Sequence, residues 1–332
     1  TNLQQAISIN NNSTAGQRNR AVIDDSFTMS TGGIIADGLG TALNRIYQGA
    51  IDGNSSLFAP DSNIVQVFRQ ANGLATSDAG YDKIFFRDAT IAATGSSTAG
   101  LRPFQVAPGQ IVNFAPSLLA PLVDNPGFPS GHSTFAYTQG LMFAIMVPER
   151  YQQLLARASE YSDSRIALGA HTPLDVIGGR ILATYDLVQM LNGNPAYANQ
   201  TVSLLGEGTA TTTSNFPTLF ASATTDLRNL LERSCGTDIA TCAASGASDR
   251  FSDNRSNRAD YTQRLTYGLP SVGATDLPPV VPDGAEVLLR SRFPYLTTAQ
   301  LRAVLATTEL PSGVPLDDGS GWARLNLYAA AD

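Results

Sequence analysis

Asn125-Pro126-Gly127-Phe128-Pro129-Ser130-Gly131-His132-Ser133 begins a stretch that closes at Ser164-Arg165-Ile166-Ala167-Leu168-Gly169-Ala170-His171-Thr172-Pro173-Leu174-Asp175. Between and beyond these two runs the apolar spacing is helical. A helix is predicted from Ser130 to about Met146, and Pro148 starts the next at its first turn. That second helix carries Tyr151, Leu154, Leu155, Ala158 and Tyr161 on one face and continues toward Ala167. Thr172 is a good N-cap with Pro173 behind it, so a third helix runs through Val176, Ile181 and Val188 to Leu191 and ends at Gly193. Gly178-Gly179 inside it costs helix propensity, which close packing against a neighbour would explain.

Working outward, almost every periodic segment repeats near 3.6 residues, so the expected class is all-α, a helical bundle core with long irregular loops. Residues 1–30 are polar and read as an irregular arm. One helix is expected over Gly33–Ile51, one from Asp61 or Ser62 to about Asn72, and one over Ser77–Ala93. Six prolines between Pro103 and Pro129 make an extended connection with at most one helical turn, near Ser117–Leu122. Residues 195–215 read as loop. Helices follow from Pro217, around Arg258–Tyr267, at about 283–292 and at about 298–307, the last with a Thr297/Gln300 capping box. The whole is expected to be a single domain over 1–332, with a motif core at about 80–192 and a helical extension at about 216–332.

Composition narrows the classes. Of 332 residues 43% are hydrophobic, the net charge is −7, and no long Lys/Arg run occurs, so no nucleic-acid partner is expected. No run of about 18 apolar residues reads as a membrane span. No leader is read at Thr1, and the chain is expected to begin at a mature or trimmed N-terminus. Cys235 and Cys242 suggest a local disulfide loop, with two reduced thiols as the alternative; the former favours periplasm or exterior. With two cysteines and two histidines in all, no metal site is expected.

Both histidines, His132 and His171, fall inside the opening stretch. Asp175 lies four residues after His171, where a carboxylate can accept from one ring nitrogen and leave the other free to attack. The plainer reading of Asp175 is a carboxylate favoured by its helix N-terminus. Ser130-Gly131-His132 opens a helix whose backbone N–H groups and dipole favour an anion, and Gly131 allows close approach. Arg102 and Arg165 carry forked donors suited to phosphate oxygens.

Arg102-Pro103, then Pro129-Ser130-Gly131-His132, then Ser164-Arg165 through His171 to Asp175, in that order, resembles the type 2 phosphatidic acid phosphatase superfamily, over roughly residues 80–192. That superfamily includes the class A bacterial acid phosphatases and the vanadium-dependent haloperoxidases. The resemblance implies that His171 attacks phosphorus, His132 protonates the leaving oxygen and then activates water, and Asp175 orients His171. Arg102, Arg165, Ser130 and Gly131 would hold the phosphate oxygens. The family places a lysine seven residues before the Arg of Arg-Pro. Here that position is Gly95, and the only lysine is Lys83. Lys83 is expected to reach the pocket by a reversal through Gly95–Gly100; the alternatives are that Arg87 takes the lysine's place or that its role goes unfilled.

The expected function is therefore a soluble, metal-independent phosphomonoesterase of the acid phosphatase kind, in periplasm or exterior, acting on a small-molecule phosphate ester through a phosphohistidine and without a cofactor. The alternatives are a vanadium-dependent haloperoxidase, whose cofactor would be vanadate, and a non-catalytic anion-binding protein on the same scaffold.

Overall fold

A computed structural model describes residues 1–26, 29–75, 100–204, 210–244 and 249–332. The helix expected over Ser77–Ala93, with Lys83 and Arg87, lies outside the described residues.

The architecture is all-α, as the periodicity indicates, with one small hairpin as the β structure among the described residues. The helices are α1 Asn2–Asn12, α2 Ala15–Ile23, α3 Thr41–Asp52, α4 Asn63–Ala75, α5 Pro103–Val106, α6 Pro116–Leu119 and α7 Gly131–Met146. They continue as α8 Tyr151–Ala167, α9 Pro173–Leu191, α10 Phe216–Cys235, α11 Ile239–Ala244, α12 Asn254–Arg264, α13 Thr298–Thr308 and α14 Leu327–Ala330. Cys235 and Cys242 are joined as a disulfide between α10 and α11. Among the described residues no helix is long and apolar enough to cross a membrane.

α7 is the centre. Every residue from Ser133 to Met146 is buried, as expected for a helix walled by others on all sides. α8 packs along one flank, and Gly140 of α7 marks the approach: a Cβ there would lie 2.8 Å from that of Ala158. α9 packs along another. Gly178 and Gly179 do face a close neighbour: a Cβ on Gly178 would meet the Phe128 ring at 2.7 Å, and one on Gly179 the Ser130 carbonyl oxygen at 2.6 Å. A backbone hydrogen bond from Ser130 N to the Asp175 carbonyl, 2.8 Å, closes the same contact. The start of α7 is thereby fixed on the first turns of α9.

The N-terminus departs from expectation. It is a pair of helices with capping boxes, Thr1/Gln4 and Thr14/Gln17. α1 buries Ala6 and Asn10, so half of its inward stripe is polar and gives no apolar period. Asn10 serves as an anchor: its Nδ2 donates to Ala167 O (2.7 Å) and Val112 O (3.1 Å), and its Oδ1 accepts from Val112 N (2.7 Å). Asn2 Oδ1 accepts from Leu174 N at the start of α9, 3.0 Å.

Other differences are local. The helix expected over Gly33–Ile51 is split at Gly40, whose φ of 88° separates a 3-10 turn, Ile35–Leu39, from α3. The Arg150 guanidinium packs there and donates to Gly38 O at 3.2 Å. The proline-rich connection holds α5 as well as the turn at α6. Residues 195–215 contain a short antiparallel hairpin, β1 Thr201–Ser203 with β2 Ala210–Thr212, paired Val202 to Thr211. Val202 fills the space a side chain would take at Gly73. The segment near 283–292 is a 3-10 turn, Ala285–Leu289, whereas α13 has its Thr297/Gln300 capping box as expected.

Two glycine-to-alanine changes test the packing. Gly179→Ala must push Ser130 aside, and we expect a loss of ~2 kcal/mol, since overpacking outweighs the helix-propensity gain. Gly49→Ala in α3 meets nothing within 4 Å and should gain ~0.5–1 kcal/mol. Urea unfolding of both variants checks the opposite signs.

Candidate active site

Three loop-to-helix junctions build the site. The first is the start of α7. Ser130 is its N-cap, with Oγ accepting from Ser133 N at 3.1 Å and its own N–H given to Asp175 O. Gly131 follows, and a Cβ there would meet nothing nearer than the Phe135 ring at 4.0 Å, so the space beside it is open. His132 is half-buried one residue on.

The second junction joins α8 to α9. Gly169, with φ of 84°, turns the chain, and the Arg165 carbonyl accepts from Ala170 N (3.1 Å) and His171 N (3.3 Å). This locks Arg165 and His171 across one helix end. Thr172 and Asp175 then form a reciprocal cap: Thr172 Oγ1 accepts from Asp175 N, and Asp175 Oδ2 accepts from Thr172 N at 2.7 Å. Asp175 is thus the capping carboxylate of α9, and the same Oδ2 lies 3.6 Å from His171 Nδ1, longer than a hydrogen bond.

The third is the start of α5. Arg102 is buried, and its guanidinium donates to Asn125 O (2.9 Å), Pro126 O (3.2 Å) and Ala170 O (2.9 Å). Gly127 fits beneath it: its N–H donates to Gly100 O at 2.7 Å, and a Cβ would lie 3.3 Å from Asp175 Oδ2. The run Asn125-Pro126-Gly127 is thus the seat of Arg102, a role its turn-forming residues alone did not reveal.

These junctions converge on one atom. His171 Nε2 lies 3.1 Å from Arg102 Nη1 and 3.3 Å from His132 Nδ1. A guanidinium only donates, so Nε2 carries the lone pair, and the ring proton sits on Nδ1 toward Asp175. Nε2 is therefore faced by a cation on one side and a second imidazole on the other. Arg165 is fully buried and anchored elsewhere, by Ser164 Oγ (3.3 Å), Asp25 Oδ1 (3.0 Å) and Ala21 O. Of the residues singled out from the sequence, His132, His171, Asp175 and Arg102 meet directly. Ser130 and Gly131 line the start of α7, Arg165 acts from the adjoining turn, and Lys83 lies outside the described residues. Asp25 carried no sequence signal.

The electrostatics favour an anion. Burial pushes the His171 imidazole below its ordinary range, Asp175 opposing and Arg102 adding to the effect. Burial pushes His132 well down, with His171, Arg165 and Arg102 contributing. Arg102 is lowered by burial to about 10, Asp175 opposing. Two imidazoles, each held below its ordinary range, thus sit beside arginines.

Residues 84–191 match the sequence profile of the PAP2 superfamily, which bears out the resemblance over the segment where the motifs lie. The chain is 33% identical over 79 residues to a non-specific acid phosphatase of Providencia stuartii, covering 24% of this chain and 32% of that protein. It is 33% identical over 66 residues to a non-specific acid phosphatase of Salmonella typhimurium, 20% of this chain and 26% of that protein. An extracellular serine protease of Serratia marcescens is 39% identical over 75 residues, 22% of this chain and 7% of that protein. The chain thus spans at most 32% of the length of these relatives.

Both imidazoles should titrate below pH ~6.5 in the free protein, and inorganic phosphate should raise both midpoints, because a bound anion favours the charged ring. The unfolded rings take up protons below pH ~6.5 while the folded ones resist, so the pair lowers stability as pH falls through that range. Proton NMR titration of the two rings, with and without phosphate, checks this; a free-protein midpoint above ~6.5 contradicts it.

Proposed function

We propose that the chain is a phosphomonoesterase of the acid phosphatase kind, acting outside the cytoplasm on a small phosphate ester. The observation that carries this is the convergence on His171 Nε2 of Arg102 at 3.1 Å and His132 at 3.3 Å. A lone pair, a cation and a proton carrier then share one small volume beside a helix start that favours anions.

The bound phosphate dianion favours the charged form of His132. The His171 Nε2 lone pair attacks phosphorus in line, and the P–O bond to the leaving group breaks as the His132 imidazolium gives that oxygen a proton. The product alcohol departs, leaving a phosphohistidine. His132, now neutral, takes a proton from water, whose oxygen attacks phosphorus and displaces His171. The sum is ester plus water giving alcohol plus phosphate. Asp175 steadies the Nδ1 proton as charge builds on the ring. Arg102, Arg165 and the first-turn N–H groups of α7 stabilise the charge spread over the phosphoryl oxygens, where preorganised donors contribute much of the rate. Those groups supply the positive charge a metal would otherwise bring, so a chelator should leave activity intact.

The extracytoplasmic placement is supported by the Cys235–Cys242 disulfide, which persists in oxidising surroundings.

Hydrolysis of an aryl phosphate should survive chelator and be inhibited by vanadate. His171→Ala should cost roughly 10⁴-fold or more in kcat and abolish the phosphoenzyme. His132→Ala should cost ~10²–10⁴-fold with a poor leaving group and much less with a good aryl one, which needs little protonation. Steady-state kinetics across a leaving-group series decides this, and equal rescue of both variants contradicts the roles. Bromide oxidation by peroxide after vanadate loading, without phosphatase activity, replaces the reading with a haloperoxidase.

A further inference from the structure

Arg165 has five N–H groups, and three have partners among the described residues. Two of those partners, the Asp25 carboxylate and the Ala21 carbonyl, come from the end of α2, far outside the segment 84–191. The neighbouring Asp24 is fastened independently. Its Oδ1 lies 2.6 Å from Arg157 Nη2, and its Oδ2 accepts from Ser164 Oγ at 3.0 Å. Asp24 and Arg157 are both fully buried, so that pair holds the end of α2 against α8. Asp25 is not needed for that attachment. Its side chain keeps 32% of its exposure, whereas Arg165 has none. The pair supplies the counter-charge of a buried guanidinium rather than the attachment of α2. Asp25 thereby bears on the charge that Arg165 presents, and Arg165 adjoins the site through the turn in which its carbonyl accepts from His171 N at 3.3 Å.

We propose that Asp25 is a positioning residue of the anion site: its carboxylate holds the Arg165 guanidinium and tempers its charge, keeping bound phosphate exchangeable. The inference rests on reading the His132–His171 pair as a phosphate site. A buried guanidinium without a counter-charge would hold a doubly charged product tightly, and release of that product completes each cycle. A carboxylate 3.0 Å from Nη1 shares the cation with the ligand and repels it. The arrangement trades affinity for turnover, and it is supplied by the N-terminal helices.

Asp25→Asn separates charge from geometry, because the amide keeps an oxygen to accept from Arg165. The expected result is a fall of roughly tenfold in the inhibition constants of phosphate and vanadate, on the scale of one unit charge several ångströms away at an interfacial dielectric. KM should fall with them, and kcat should fall as product release slows. Asp25→Glu, which retains the charge, should stay near wild type. A variant with wild-type thermal unfolding and inhibition constants within about twofold of wild type overturns the proposal, as does a weaker grip on phosphate. If Asp25→Asn does not accumulate, Asp25→Ser makes the same comparison; failure of both to fold makes the carboxylate a structural requirement and also overturns it. Wild-type protein that neither hydrolyses an aryl phosphate nor binds vanadate by calorimetry overturns the phosphate reading itself, and this inference with it.

Discussion

The contact between the first turn of α7 and the first turns of α9 is the constraint on which the site depends. Two glycines let the helices approach until Ser130 and Gly179 touch through backbone, and Ser130 N–H is given to Asp175 O. That contact, in the packed interior, does not slide. His132 and His171 start from opposite sides of it, which is how two residues 39 apart in sequence come to share 3.3 Å. A side chain at Gly179 would push the start of α7 from α9, and His132 from His171 with it.

Buried positive charge is the second organising theme. Arg102, Arg157 and Arg165 are all almost fully enclosed, and each is satisfied differently. Arg157 is surrounded by carboxylates, Asp24, Asp37 and Glu160, so its charge is cancelled locally and serves attachment. Arg102 faces carbonyl oxygens, which satisfy its N–H groups without removing its charge. Arg165 is intermediate, with one half-exposed carboxylate and one carbonyl. Of the three, the one that touches His171, Arg102, is the one that no carboxylate among the described residues bridges. An unpaired buried charge is costly, and a site that leaves one partly uncompensated is prepared for an anion.

Much of this was legible in the sequence. The helices that carry the site, α7, α8 and α9, announce themselves by apolar period, by Thr172 as a cap and by prolines at first turns. The pairing of His132 with His171, and the place of Arg102 beside them, follows from motif order. What escaped has a common physical cause. α1 and α2 present polar side chains to the interior, Asn10 and Asp24 among them, and a hydrophobicity count is blind to a stripe that is buried through hydrogen bonds. The seat of Arg102 is made of backbone carbonyls, which no residue type encodes. Asp25 is one acid among many until the fold brings it to Arg165. Gly40 and the hairpin at Val202 belong to the same group, since tertiary neighbours choose them.

The ties between α2 and α8 also set an order of events in time. Asp24 and Arg157 are 133 residues apart, and Asp25 and Arg165 are 140. At ~5–20 residues per second of synthesis, the end of α2 waits roughly seven to thirty seconds before its partners exist. Through that interval the two acids stay hydrated, and the loop they will close is long and slow to find. A nascent chain halted before Arg165 would carry Arg102 and the first histidine but neither Arg165 nor the second histidine. The candidate site is therefore a late product of the polypeptide's own manufacture, assembled when its earliest residues are met by some of the middle ones.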